Sequence, residues 1–175
     1  MSSLLSLEKN LDDIFVKKAP PLPAGGKKAL VEYLPWINLV LGLLALLVIY
    51  GLWHWAHVAN GLINYANSLS AAYGGPAVST GRMGFGIWLG LIVLAAEALL
   101  YIAAFPATRD RKKSGWNLMF YALLLNVVYG VVIAFSSYGG VGSLISTLIG
   151  SAVGLYLLFQ IRSSYSKAPA AKKSA

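Results

Sequence analysis

The chain has 175 residues, of which 58% are hydrophobic and 11% charged, where a soluble domain carries roughly 25% charged residues. That composition excludes an ordinary water-facing surface, and the lack of cysteine excludes disulfides, thiolate chemistry and Cys-based metal or iron–sulfur sites. The net charge of +8 is read as topogenic lysines and arginines drawn to anionic lipid headgroups, so no nucleic-acid partner is expected.

Residues 1–33 are expected to lie outside the bilayer. Leu4, Leu7, Leu11 and Ile14 with Phe15 recur at helical spacing, while Glu8, Lys9, Asp12 and Asp13 fall elsewhere on the wheel. This predicts a short amphipathic helix over 4–15, lying on lipid or docked on protein. The run Ala19-Pro20-Pro21-Leu22-Pro23-Ala24-Gly25-Gly26 reads as an extended, then flexible linker.

A transmembrane helix needs ~20 mostly apolar residues. Residues 35–55 supply the first span, with Pro35 suited to a first helical turn, where its missing N–H costs nothing. The first apolar run follows a charged, proline-containing segment and exceeds a usual signal-peptide core, so it is expected to remain as a span. Residues 56–82 form the outer connection. Leu62, Tyr65, Ala66, Leu69 and Ala72 share one helical face there, which predicts that span one continues, upright or bent near Gly61, until Tyr73-Gly74-Gly75-Pro76 breaks it.

The second span is predicted over 84–105, ending at Pro106, and the third over 115–135, with Ser114 as N-cap. The fourth covers 141–161, and Tyr138-Gly139-Gly140 makes the preceding connection a tight hairpin. Residues 162–175 are a basic tail, with a disordered composition from Lys167 onward. Tyr33, Trp36, Trp53, Trp55, Phe85, Trp88, Phe105, Trp116, Tyr138, Phe159 and Tyr165 sit near the span ends, as in an interfacial aromatic belt. Of the fourteen lysines and arginines, Arg82 alone falls on the outer side, so the positive-inside rule places both termini in the cytoplasm. The predicted fold is an all-α integral membrane protein: a compact bundle of four transmembrane helices, 34–161, preceded by the amphipathic helix.

Three patterns bear on function. Gly142, Ser146, Gly150 and Gly154 recur every fourth residue in span four, a small-xxx-small stripe that lets helix backbones approach closely. The stripe suits self-association or a partner subunit, and equally packing within the same bundle. Gly86 and Gly90 offer a shorter version in span two. Glu97 is the one acid within a span, about 12 Å of helix rise from Phe105, and Asn126 lies about 15 Å from Trp116. The two are expected to meet at one depth. An ionised carboxyl in hydrocarbon costs several kcal/mol, so Glu97 is expected to be neutral or hydrogen-bonded within the bundle. It serves either as a proton or cation site or as half of a register-fixing bond, with Tyr101 or Tyr129 as further candidates. His54 and His57 share one side of span one, but the outer segments hold no Asp, Glu or Cys to complete a metal site, so no metal and no cofactor is expected.

No phosphate-binding glycine loop with its lysine, no paired carboxylates and no convergent Ser/His/Asp set is found, which argues against an enzyme. The segment Leu34-Pro35-Trp36-Ile37-Asn38-Leu39-Val40-Leu41-Gly42, after a lysine-bearing linker, resembles small four-span membrane proteins of bacteria. The resemblance covers span one and the general layout. It implies a bacterial cytoplasmic membrane and carries no activity, site or cofactor. Taken together, the sequence points to a non-enzymatic structural or accessory membrane subunit, a homo-oligomer or part of a membrane complex. The alternative is a small channel or transporter using Glu97 and Asn126.

Overall fold

A computed structural model describes residues 2–76, 85–135 and 140–165, with side chains described from residue 6 in the first stretch and from residue 88 in the second. Arg82, Tyr138, Gly139, the basic tail from Lys167 and the surroundings of Gly86 lie outside the described residues. Helix α1 covers Ser2–Asp12 and passes into a π-helical turn, Asp13–Lys18. Four long helices follow: α2 Ala24–Ala72, α3 Phe85–Arg109, α4 Lys113–Ala134 and α5 Val141–Gln160. All four are long and apolar enough to cross a membrane. The long apolar side chains on their outward faces, among them Leu41, Leu44, Leu47, Ile92, Leu99, Val128 and Ile149, are exposed in the isolated chain, as lipid-facing positions should be. This is a membrane protein.

Four boundaries differ from the sequence expectation. Ser114, expected as an N-cap, lies inside α4, whose N-cap is Lys112. Gly25 and Gly26 belong to α2 and not to a linker. The helix starts directly after Pro23, whose carbonyl accepts from the Lys27 N–H at 3.0 Å, and Val31 and Leu34 anchor its first turns in the core. Packing there outweighs the weak helix preference of glycine. Pro35 consequently lies inside α2 and not in its first turn. Likewise α3 does not stop at Pro106 but runs on to Arg109. There the single Thr108 hydroxyl proton is shared between the Ala104 carbonyl at 2.7 Å and the Phe105 carbonyl at 3.1 Å. It does not replace the bond to the Ile102 carbonyl that Pro106 forgoes, and the burial of Ala104 and Thr108 holds the last turn in the helix.

Helix α2 has 49 residues, about 73 Å at 1.5 Å per residue, more than twice the ~30 Å hydrocarbon core. It passes through Gly61 without interruption. Its end is the predicted one: Gly74 adopts φ +70°, a conformation glycine accepts without strain. Trp53 stacks edge-on against Trp88 at 6.0 Å, near the start of α3. From there α2 continues for nineteen residues to Ala72, roughly 28 Å.

The extensive contacts run between consecutive helices, α2 on α3, α3 on α4 and α4 on α5. The hydrophobic core gathers at one end of this array, where α2 and α4 begin and α3 and α5 finish. Val31, Leu34, Ala104, Trp116, Phe120, Leu158 and Phe159 form it. Trp116 and Phe159, expected in the interfacial belt, are instead each 1% exposed, and their rings meet edge to face at 5.3 Å. Tyr165 is buried there too. The close α3–α4 turn requires Gly115: a Cβ at that position would lie 2.5 Å from the Thr108 backbone nitrogen. Gly115→Ala should therefore destabilise the protein by about 1–3 kcal/mol, read as a lower thermal unfolding midpoint in detergent, whereas Gly142→Ala, with nothing within 4 Å, should leave the midpoint unchanged.

Candidate functional site

Among mostly apolar helices, the polar side chains mark the points where one helix recognises another. Glu97 on α3 and Asn126 on α4 come together: the Asn126 amide donates to Glu97 Oε1 at 3.1 Å. Glu97 is 8% exposed. Neither tyrosine joins the bond; the Tyr129 ring packs at Gly90, where a Cβ would lie 2.6 Å from its hydroxyl. Gly90 therefore faces α4 and lies inside the bundle.

A second polar cluster escaped the sequence reading. Asn38 of α2 is 0% exposed, as is Thr108. The Asn38 amide donates to Met119 Sδ at 3.2 Å and to Thr108 Oγ1 at 3.5 Å, so one side chain bridges α2, α3 and α4. Its signal was an amide inside an otherwise apolar run, which in hydrocarbon demands a partner.

The third constellation joins the chain's two ends. Gln160, the last residue of α5, donates its amide to the Phe15 carbonyl at 2.8 Å and accepts from the Leu22 N–H at 3.2 Å. Tyr156 donates its hydroxyl to the Pro20 carbonyl at 2.8 Å. Arg162 pairs with Asp12 at 2.9 Å and with Glu8, while its guanidinium lies 5.3 Å over the Trp116 ring. The acids of the N-terminal segment thus face a cation of the C-terminal end. Charge pairing over 150 residues leaves no local periodicity, so spacing did not reveal it.

The small-residue stripe of α5 divides. Each i to i+4 step rotates about 40° around a helix, so four such positions drift by about a third of a turn. At one end of the stripe Gly154 packs on α4, where a Cβ would meet Leu123 Cδ2 at 2.8 Å. At the other, Gly142 and Gly150 have nothing within 4 Å and Ser146 is exposed. The inward face of α5 uses Thr147 and Ser151 instead, with Thr147 seated against Gly130 of α4.

His54 and His57 are both exposed. The His57 Nδ1–H donates to the Trp53 carbonyl at 3.0 Å, and His54 stacks on Tyr50 at 6.3 Å. Among the described residues no three His, Asp or Glu side chains gather as a metal site would need. The chain matches no protein-family model, no curated protein and no solved structure. The resemblance to small four-span bacterial proteins therefore rests on the sequence pattern alone.

Two measurements check these ties. Glu97→Gln retains the acceptor for Asn126, whereas Glu97→Leu strands the amide; the leucine variant should lose about 0.6–1.7 kcal/mol more than the glutamine variant in reversible unfolding. Arg162→Ala leaves Glu8 and Asp12 without their cation, so amide exchange across residues 6–18 should quicken at least severalfold while α3 and α4 keep their protection.

Proposed function

We propose that this protein is a non-enzymatic structural or accessory membrane subunit that assembles through the outward face of α5. The supporting observation is the division of the stripe. Gly154 packs against Leu123 of α4, while Gly142, Ser146 and Gly150 present a shallow, small-residue track with no covering side chain among the described residues. Such a track allows a second helix backbone to approach closely and gain dispersion contacts. Its occupant is a second copy of this chain or a helix of a partner membrane protein. The projecting part of α2 supplies a second exposed surface, where Trp55, Leu62 and Leu69 recur every seventh residue, with Val58 and Tyr65 between them.

The setting proposed is the bacterial cytoplasmic membrane with both termini inside. The lysine and arginine asymmetry supports this, as does the placement of the N-terminal segment against the end of α5. Leu11 and Phe15 lie against the core cluster while Lys9 and Lys18 are exposed, which favours an amphipathic N-terminal segment that docks on the protein's own bundle.

The second reading, a small channel or transporter, draws on the hydrogen-bonded Glu97–Asn126 pair. Under it, Glu97→Gln would abolish pH-dependent flux in proteoliposomes. Under the subunit reading, Gly150→Leu should convert the assembled species to monomer in native mass spectrometry without altering the unfolding midpoint, because the site is open. Glu97→Gln should leave assembly intact. A Gly150→Leu protein that assembles like the parent would remove the basis for the proposal.

A further inference from the structure

Where the core end of the bundle meets its charged rim, a cavity of about 320 Å³ opens between α2, α4 and the turn after α5. Lys27, Lys113, Arg162 and Tyr165 line it, together with Asp12. Arg162 is committed to Asp12 and Glu8, which leaves that part of the wall one negative charge in excess. Lys27 and Lys113 have no ion pair among the described residues and are the uncompensated cations. Lys27 lies in the first turn of α2 and Lys113 is the first residue of α4, so two helix N-termini add their partial positive charge at the same rim.

One residue of the cavity wall carries an orphaned hydroxyl, itself closed off from the cavity space. Tyr165 is 1% exposed, and its hydroxyl has no hydrogen-bond partner among the described residues. Burial pushes the phenol up to about 12, so at neutral pH it is an O–H donor lacking an acceptor, which is costly when buried.

Beneath this rim the surface becomes apolar. Along α2, Lys27 is followed by Leu30, Leu34 and Ile37, three, seven and ten residues on, hence on one side of the helix. These three line a second cavity of about 170 Å³, closed opposite by Leu157 and Ile161 of the α5 end. A polar, cationic mouth at the end of the membrane helices and an apolar cleft continuing into the bundle match the two ends of one amphiphile.

We propose that the two cavities together form a binding site for an anionic phospholipid, its phosphate held by Lys27 and Lys113 and part of one acyl chain lying in the cleft beside Leu30 and Leu34. The site goes beyond the assembly reading and does not depend on it: Gly142, Ser146 and Gly150 line neither cavity, and the test reads bound lipid, not oligomeric state.

The full-length protein in mild detergent, titrated with phosphatidylglycerol and with phosphatidylcholine of the same chains, is read by native mass spectrometry. The parent should retain phosphatidylglycerol in preference to phosphatidylcholine. Lys27→Ala/Lys113→Ala should reduce that preference about tenfold or more, as expected for losing charge-assisted hydrogen bonds. The control is Lys28→Ala/Lys112→Ala, which removes the same charge from neighbouring exposed positions that do not line the cavity, and it should keep the parent's preference. Equal losses in the two double variants would reduce the effect to diffuse attraction and overturn the site. So would a parent without headgroup preference. Inorganic phosphate at the lipid's concentration should leave the lipid bound; displacement by phosphate would make this a soluble-anion site and overturn the lipid assignment.

Discussion

In hydrocarbon an apolar side chain gains little by leaving lipid for another helix, so the few polar groups decide which helix faces lie together. Here the polar ties follow the order of the chain. Asn38 holds α2 to α3 and α4 through Thr108 and Met119, and the Glu97–Asn126 bond joins α3 to α4. The Trp116 indole N–H donates to the Leu158 carbonyl at 2.9 Å and joins α4 to α5. Gln160 and Arg162 then return the α5 end to the N-terminal segment. Each consecutive pair of helices thereby has a polar tie fixing its register, and apolar packing fills in around it.

These ties are unevenly distributed. The aromatic cluster of Trp116, Phe120 and Phe159, the Asn38 bridge and the end-to-end pairing all sit towards one end of the array. Toward the other end, α2 rises beyond Trp53 and exposes Leu62 at 64%, and the outward track of α5 is bare. The molecule thus has a firmly tied end and an end where long apolar helix faces are exposed in the isolated chain.

Much of this was legible in the sequence because the physics is local. Helices that cross hydrocarbon must be long, apolar and internally hydrogen-bonded, and four such stretches stand out without reference to tertiary structure. The meeting of Glu97 with Asn126 follows from equal depth on antiparallel neighbours. The errors arose where packing overrode local preference. Gly25 and Gly26 suit a linker by local preference, yet Val31 and Leu34 anchor the helix that contains them, and Pro106 suits a stop, yet the buried Ala104 and Thr108 carry α3 past it. The division of the α5 stripe and the clasp of Arg162 with Glu8 and Asp12 were illegible for a different reason. The first depends on how α5 is rotated against α4, and the second on contacts between opposite ends of the chain.

That clasp gives the chain a timetable. Asp12 and Arg162 are 150 residues apart, an interval of about 8–30 s at ~5–20 residues per second of synthesis. Throughout that interval the N-terminal segment is complete while the residues that will hold it do not yet exist. It is made before its partners and docks only once they exist. Newly made chains therefore pass through a stage in which Leu11 and Phe15 lack their native cover, when a chaperone, the membrane surface or a neighbouring copy can compete for them, and the arrival of Gln160 and Arg162 brings that stage to a close.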